Sequence, residues 1–88
     1  ELNLWRNDFG PEGTKHLVDG LAVNHTLQIL DLGDNDLGPD ICQLLKLNST
    51  ITSLDIATNE LGSVGGRLIG EGLKVNQSLT RLSLYGNN

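Results

Sequence analysis

The stretch Leu54-Asp55-Ile56-Ala57-Thr58-Asn59-Glu60-Leu61-Gly62 decides the fold, because its spacing of apolar residues and asparagine recurs along the chain. Leu2-x-Leu4-x-x-Asn7, Leu30-x-Leu32-x-x-Asn35 and Leu82-x-Leu84-x-x-Asn87 repeat it, with the asparagines 28, 24 and 28 residues apart. Where the chain extends far enough upstream, a further apolar residue stands three positions before the first leucine: Leu27, Ile51 and Leu79. Downstream come Phe9-Gly10, Leu37-Gly38 and Leu61-Gly62, then an apolar stretch closed by a second asparagine at Asn24, Asn48 and Asn76.

Two periods coexist in each unit. Leu30 and Leu32 alternate with polar neighbours, as strand residues do, whereas Leu17, Val18 and Leu21, or Leu68, Ile69 and Leu73, follow the three-to-four spacing of a helix. Pro11 and Pro39 follow their glycines directly and suit a first helical turn, where a missing N–H costs little. The pattern therefore predicts strands near 2–5, 30–33, 54–57 and 82–85 and helices near 12–23, 40–47 and 64–75. One such unit has nothing to close against. Stacked units bury the leucines in a shared column, with parallel strands on one side and helices on the other, and the asparagines Asn7, Asn35, Asn59 and Asn87 form a ladder at the strand ends.

Composition agrees with this core. Leucine fills 18 of 88 positions, against one Trp, one Tyr and one Phe. The single cysteine, Cys42, can form no internal disulfide and favours a reducing, cytoplasmic location. A net charge of -5 argues against nucleic acid and anionic lipid as partners, which require clustered Lys and Arg. No apolar run approaches the roughly 20 residues of a membrane span. Oligomeric state is left open by these features.

On these motifs the chain resembles the leucine-rich repeat, specifically the long ribonuclease-inhibitor-like type also found in the sensor regions of NOD-like receptors. The resemblance extends from the first strand motif to the closing Leu73-Lys74-Val75-Asn76-Gln77-Ser78-Leu79. It implies an α/β horseshoe solenoid with a parallel β-sheet on the concave face, helices on the convex face, and protein ligands on the sheet.

Two departures stand out. The middle unit runs 13 residues from Asn35 to Asn48, against 17 in the units on either side, and alignment from both ends puts the four lost residues between Asp40 and Ile41. Of a helix one turn shorter and a chain lacking four residues at that point, the second is expected. Both ends also lack polar capping units, so residues 1–88, divided into units of about 1–26, 27–50, 51–78 and 79–88, are expected to be one segment of a longer array.

If the leucines point inward, the residues between them face the concave side in columns. One column is Glu1, Ile29, Ser53 and Arg81; the next is Asn3, Asp31, Asp55 and Ser83; the third is Trp5, Gly33, Ala57 and Tyr85; and Arg6, Asp34, Thr58 and Gly86 follow. Trp5 and Tyr85 would flank a shallow trough about 14 Å wide, and either ring could instead cover a neighbouring strand. Asp31, Asp55 and nearby Asp34 would steer a basic partner. The candidate protein-binding residues are Trp5, Arg6, Asp31, Asp34, Asp55, Arg81, Ser83 and Tyr85.

Nothing points to catalysis. Asp31 and Asp55 lie on an open sheet without a pocket or nearby His, Cys or Lys, and His16 and His25 lack companions at metal-ligand spacing, so no cofactor and no metal are expected. Asn24-His25-Thr26, Asn48-Ser49-Thr50 and Asn76-Gln77-Ser78 satisfy the N-glycosylation pattern, but a turn that needs side-chain hydrogen bonds explains all three. Gly65-Gly66 and Gly70-x-Gly72 fall on a helix, where close packing of neighbouring helices accounts for small residues. The function expected is a non-catalytic interaction scaffold. A structural spacer, or a regulator of a GTPase or other enzyme acting through the same face, is the alternative.

Overall fold

The computed structural model describes residues 1–87. In chain order its elements are β1 (Leu2–Asn3), α1 (Gly10–Val23), β2 (Ile29–Asp31), a 3₁₀ helix (Pro39–Gln43) continuing into α2 (Leu44–Leu47), β3 (Ser53–Asp55), α3 (Gly62–Leu73) and β4 (Arg81–Ser83). The strands form one parallel sheet in sequence order, with Leu30 beside Leu2, Leu54 beside Leu30 and Leu82 beside Leu54. Each strand stops earlier than the alternation predicts. Inter-unit hydrogen bonding nevertheless continues past it, from Leu32 N to Asp55 O at 2.8 Å and from Asp34 N to Ala57 O at 2.9 Å. Helices α1 and α3 begin and α3 ends two residues earlier than predicted, with Pro11 inside the first turn of α1.

The core lies between sheet and helices. Leu30, Leu32, Leu54 and Ile56 meet Val18, Leu21, Ile41, Leu44, Leu45 and Ile69, all buried, while Leu4, Leu27, Leu79 and Leu82 of the flanking units pack against them and stay partly covered. Each fully buried leucine contributes about 1.5–3 kcal/mol through removal of apolar surface from water. Cys42 belongs to this core, and burial, with the Asp40 carboxylate adding, pushes its thiol up to about 11. The sulfur is a packing group, protonated at neutral pH.

Asp40 and Ile41, where the middle unit is four residues shorter than its neighbours, lie within one 3₁₀ helix. Ile41 and Cys42 thereby reach the core from the shortened segment.

The helix glycines divide into two kinds. A Cβ on Gly65 would stand 2.6 Å from Leu61 Cβ, and one on Gly72 would collide with Leu45 Cβ, whereas Gly66 and Gly70 have open space around them. Close packing of a neighbouring helix thus explains Gly72; at Gly65 the obstacle is Leu61, one turn back in the same unit, and Gly66 and Gly70 need neither explanation. Gly70→Ala is expected to raise stability by about 0.5–1 kcal/mol through helix propensity. Gly72→Ala is expected to lower it, since Leu45 must move; equal urea midpoints for the two variants would contradict this division.

Candidate functional site

The asparagines at the strand ends tie successive units together. Asn59 Oδ1 accepts from Asn35 N at 2.9 Å and Leu37 N at 3.1 Å, and its Nδ2 donates to Leu32 O at 3.0 Å and Ala57 O at 3.1 Å. Asn35 Oδ1 accepts from Asn7 N, and Asn87 Oδ1 accepts from Asn59 N at 2.7 Å. Asn7 Nδ2 donates within its own unit, to Leu4 O at 2.8 Å. The residues on both sides of Asn7, Asn35 and Asn59 adopt left-handed backbone: Arg6 and Asp8, Asp34 and Asp36, Thr58 and Glu60, with φ between 50° and 59°. Such conformations cost about 1–2 kcal/mol each, and the asparagine bonds that the turn makes available offset that cost.

A second set of asparagines works at the other rim. Asn48 Oδ1 accepts from Thr50 N and Ile51 N, both at 2.8 Å, while its Nδ2 donates to Leu21 O at 2.8 Å. Asn76 repeats this, donating to Leu45 O at 2.9 Å. In both asparagines the nitrogen that a glycan would modify is held in a hydrogen bond. Thr50 and Ser78 add hydroxyl bonds to Leu27 O and Ile51 O, the turn role expected of these N-x-[ST] runs.

On the concave face, strand register aligns Ile29, Ser53 and Arg81 in one column and Asp31, Asp55 and Ser83 in the next. Asn3, Asp31 and Asp55 share a task not read from the sequence. Each accepts, through Oδ1, the N–H two residues on, that of Trp5, Gly33 and Ala57, at 2.9–3.0 Å. The visible signal is an Asn or Asp at the same place in three units, which favours such local turns. These carboxylates therefore hold the strand exits as well as charging the face.

Trp5 lies over Gly33: a Cβ there would meet Trp5 Cδ1 at 2.7 Å. The ring fills the end of the expected trough and still leaves 52% of the residue exposed, while Tyr85, at 83%, stands free at the other end. The Arg6 guanidinium sits 5.7 Å from the Trp5 ring centroid, and its Nε lies 3.6 Å from Asp34 Oδ2. Arg6 and Asp34 thus largely cancel, and Asp31 and Asp55 share the rest of the face with Glu1 and the cationic Arg81. On the convex side, hydrogen bonds from Lys46 and then Arg67 hold the exposed Glu71 carboxyl below the usual carboxylate range. Among the described residues no group of His, Cys, Asp and Glu is arranged to hold a metal, and no helix is long and apolar enough to cross a membrane.

Comparison with known proteins bears on this architecture. A family model described as Leucine Rich repeat matches residues 23–46 and 47–70. NACHT, LRR and PYD domains-containing protein 13 of Homo sapiens is 36% identical over 98% of this chain and 9% of its own length. A Protein phosphatase 1 regulatory subunit 37 homolog of Caenorhabditis elegans is 37% identical over 99% of this chain and 10% of its own. Ribonuclease inhibitor of Sus scrofa is 35% identical, with 83% of this chain and 17% of its own covered. The chain thus spans about a tenth to a sixth of the length of these curated relatives. A solved structure titled Leiomodin-1 Actin-Binding Site 2 superposes with a TM-score of 0.87 over 98% of this chain and 53% of that one, at 24% identity, which shows the shared fold.

Proposed function

Starting from the leucine-rich-repeat family, to which this chain belongs, we propose that it is a non-catalytic scaffold that binds a protein on its concave sheet. The observation that carries this reading is the pair of exposed aromatics, Trp5 and Tyr85, at the two ends of a polar sheet face whose middle holds only Gly33 and Ala57 in the same column. Large aromatics left in water are the usual anchors of an interface. Ile29, Arg81 and Ser83 lie beside them, and Asp31 and Asp55 favour a basic ligand by steering rather than by deep burial. Among the relatives, one is named for inhibiting a ribonuclease and one solved neighbour for binding actin, so proteins are the class of partner that this reading draws on. The single cysteine, which can form no internal disulfide, favours a cytoplasmic setting.

A photoreactive benzoylphenylalanine at Ala57, compared with one at Arg67 on α3, tests the face. Adducts from a cytosolic extract are expected from position 57. They should weaken with rising salt and disappear in the variant W5S/D31N/D55N/Y85S, in which asparagine keeps the turn-holding oxygen. No adducts from position 57, or adducts there indifferent to the four substitutions with the circular dichroism unchanged, would overturn the concave-face reading in favour of a spacer.

A further inference from the structure

The rim where helices lead into strands carries a surface that the concave face does not use. Directly before its second asparagine each unit leaves one aliphatic side chain in water: Val23 is 72% exposed, Leu47 49% and Val75 60%. The three are in register, because Asn48 Nδ2 donates to Asn24 O at 3.2 Å and Asn76 Nδ2 to Asn48 O at 3.3 Å. An apolar position that stays exposed in three successive units is a seam without a partner. Two depressions adjoin it. One of about 320 Å³ is lined by Val75 together with Lys46, Ser49 and Gln77, and one of about 190 Å³ is lined by Leu47, Leu68, Gln43 and Lys46.

Charge separates this rim from the opposite one. Residues 20–30, 44–54 and 72–82 contain no Asp or Glu and carry His25, Lys46, Lys74 and Arg81. The strand exits and helix starts, residues 6–13, 34–41 and 58–65, carry Asp8, Glu12, Asp34, Asp36, Asp40 and Glu60 against one Arg6. Two carboxylates border the cationic rim: Asp19, which lines a depression with Lys15 and Gln43, and Glu71, which is shared between Lys46 at 3.3 Å and Arg67 at 3.1 Å, so that the latter trio keeps a net positive charge.

We propose that this rim docks an acidic amphipathic helix of a partner protein, with its apolar stripe along Val23, Leu47 and Val75 and its carboxylates toward Lys46 and Lys74. Neighbouring units are about 4.8 Å apart at the strands and about 8–10 Å apart at the helices. On a helix the i, i+4 and i, i+7 positions are about 6 and about 10.5 Å apart along the axis, the same range, so one straight helix can meet all three units. The acidic rim of a second copy has the complementary charge, but among its described residues Val64 is the one large apolar side chain left exposed, so it offers no stripe to set along Val23, Leu47 and Val75. The surface is separate from the concave face, so its fate is independent of the function proposed above.

The test is a titration of the isotope-labelled chain, followed by amide chemical shifts, with three 18-residue helical peptides. The first has leucines at i, i+4, i+7 and i+11 flanked by glutamates, the second has the same composition scrambled, and the third has lysine for glutamate. Shifts confined to residues near 22–28, 46–50 and 74–78 are expected from the first peptide, with binding at least tenfold weaker for the other two and for the variant V23S/L47S/V75S. All three replaced side chains are exposed, so that variant should keep its amide dispersion. Shifts centred on the sheet columns, equal binding by the lysine peptide or by the variant, or adsorption to phosphatidylserine vesicles in place of peptide binding would overturn the proposal. So would concentration-dependent self-association that the triple variant abolishes.

Discussion

Asn59→Ala is expected to lower the free energy of unfolding by about 3 kcal/mol. The side chain is fully buried and makes four hydrogen bonds, accepting from Asn35 N and Leu37 N and donating to Leu32 O and Ala57 O. Alanine leaves two buried N–H groups without an acceptor, and each such group costs about 1–3 kcal/mol. Of the two carbonyls, Ala57 O keeps the bond from Asp34 N and Leu32 O keeps the one from Asn35 Nδ2, which limits the loss. The left-handed residues Thr58 and Glu60 also lose the bonds that offset their conformation. Asn7→Ala, at an exposed position with its amide directed to its own unit, should cost no more than about 1 kcal/mol. Urea unfolding of the two variants beside the parent decides it; an unchanged midpoint for Asn59→Ala would mean that the ladder contributes nothing.

Leu32→Ala is expected to cost about 3–4 kcal/mol. Leu32 is fully enclosed, and truncation removes its transfer free energy and opens a cavity that the neighbouring Leu30 and Leu54 rungs, fixed by strand pairing, can fill only in part. Leu47→Ala, the same chemical change at a half-exposed site, should stay within about 0.5 kcal/mol. Comparable losses at the two positions would show that the inward and outward assignments of the leucines are confused.

The repeat was legible because leucine spacing and backbone pairing obey the same period: Leu30, Leu54 and Leu82 align in sequence and in strand register alike. Helix boundaries drifted by two residues because the turn after each asparagine is built from left-handed residues such as Asp8 and Glu60, types that no simple pattern marks for that conformation. The short middle unit was legible as a deficit of four residues, but its 3₁₀ turn was not, since a tighter turn leaves no signature in apolar spacing. Trp5 over Gly33 depends on a rotamer that crosses between units, and the turn-holding role of Asp31 and Asp55 depends on which way each carboxylate swings. The two classes of helix glycine differ in which side chain stands opposite them, Leu61 one turn back for Gly65 and Leu45 of the neighbouring unit for Gly72.

The order of the strands is the foundation of core, ladder and both faces, and amide-to-Hα cross-peaks in an isotope-labelled sample read it directly. Contacts are expected in ascending register, 29 to 53, 30 to 54 and 31 to 55, and then 53 to 81, 54 to 82 and 55 to 83. Cross-peaks that run in descending register, or none between these segments, would contradict the stacked parallel units and, with them, the binding faces assigned here.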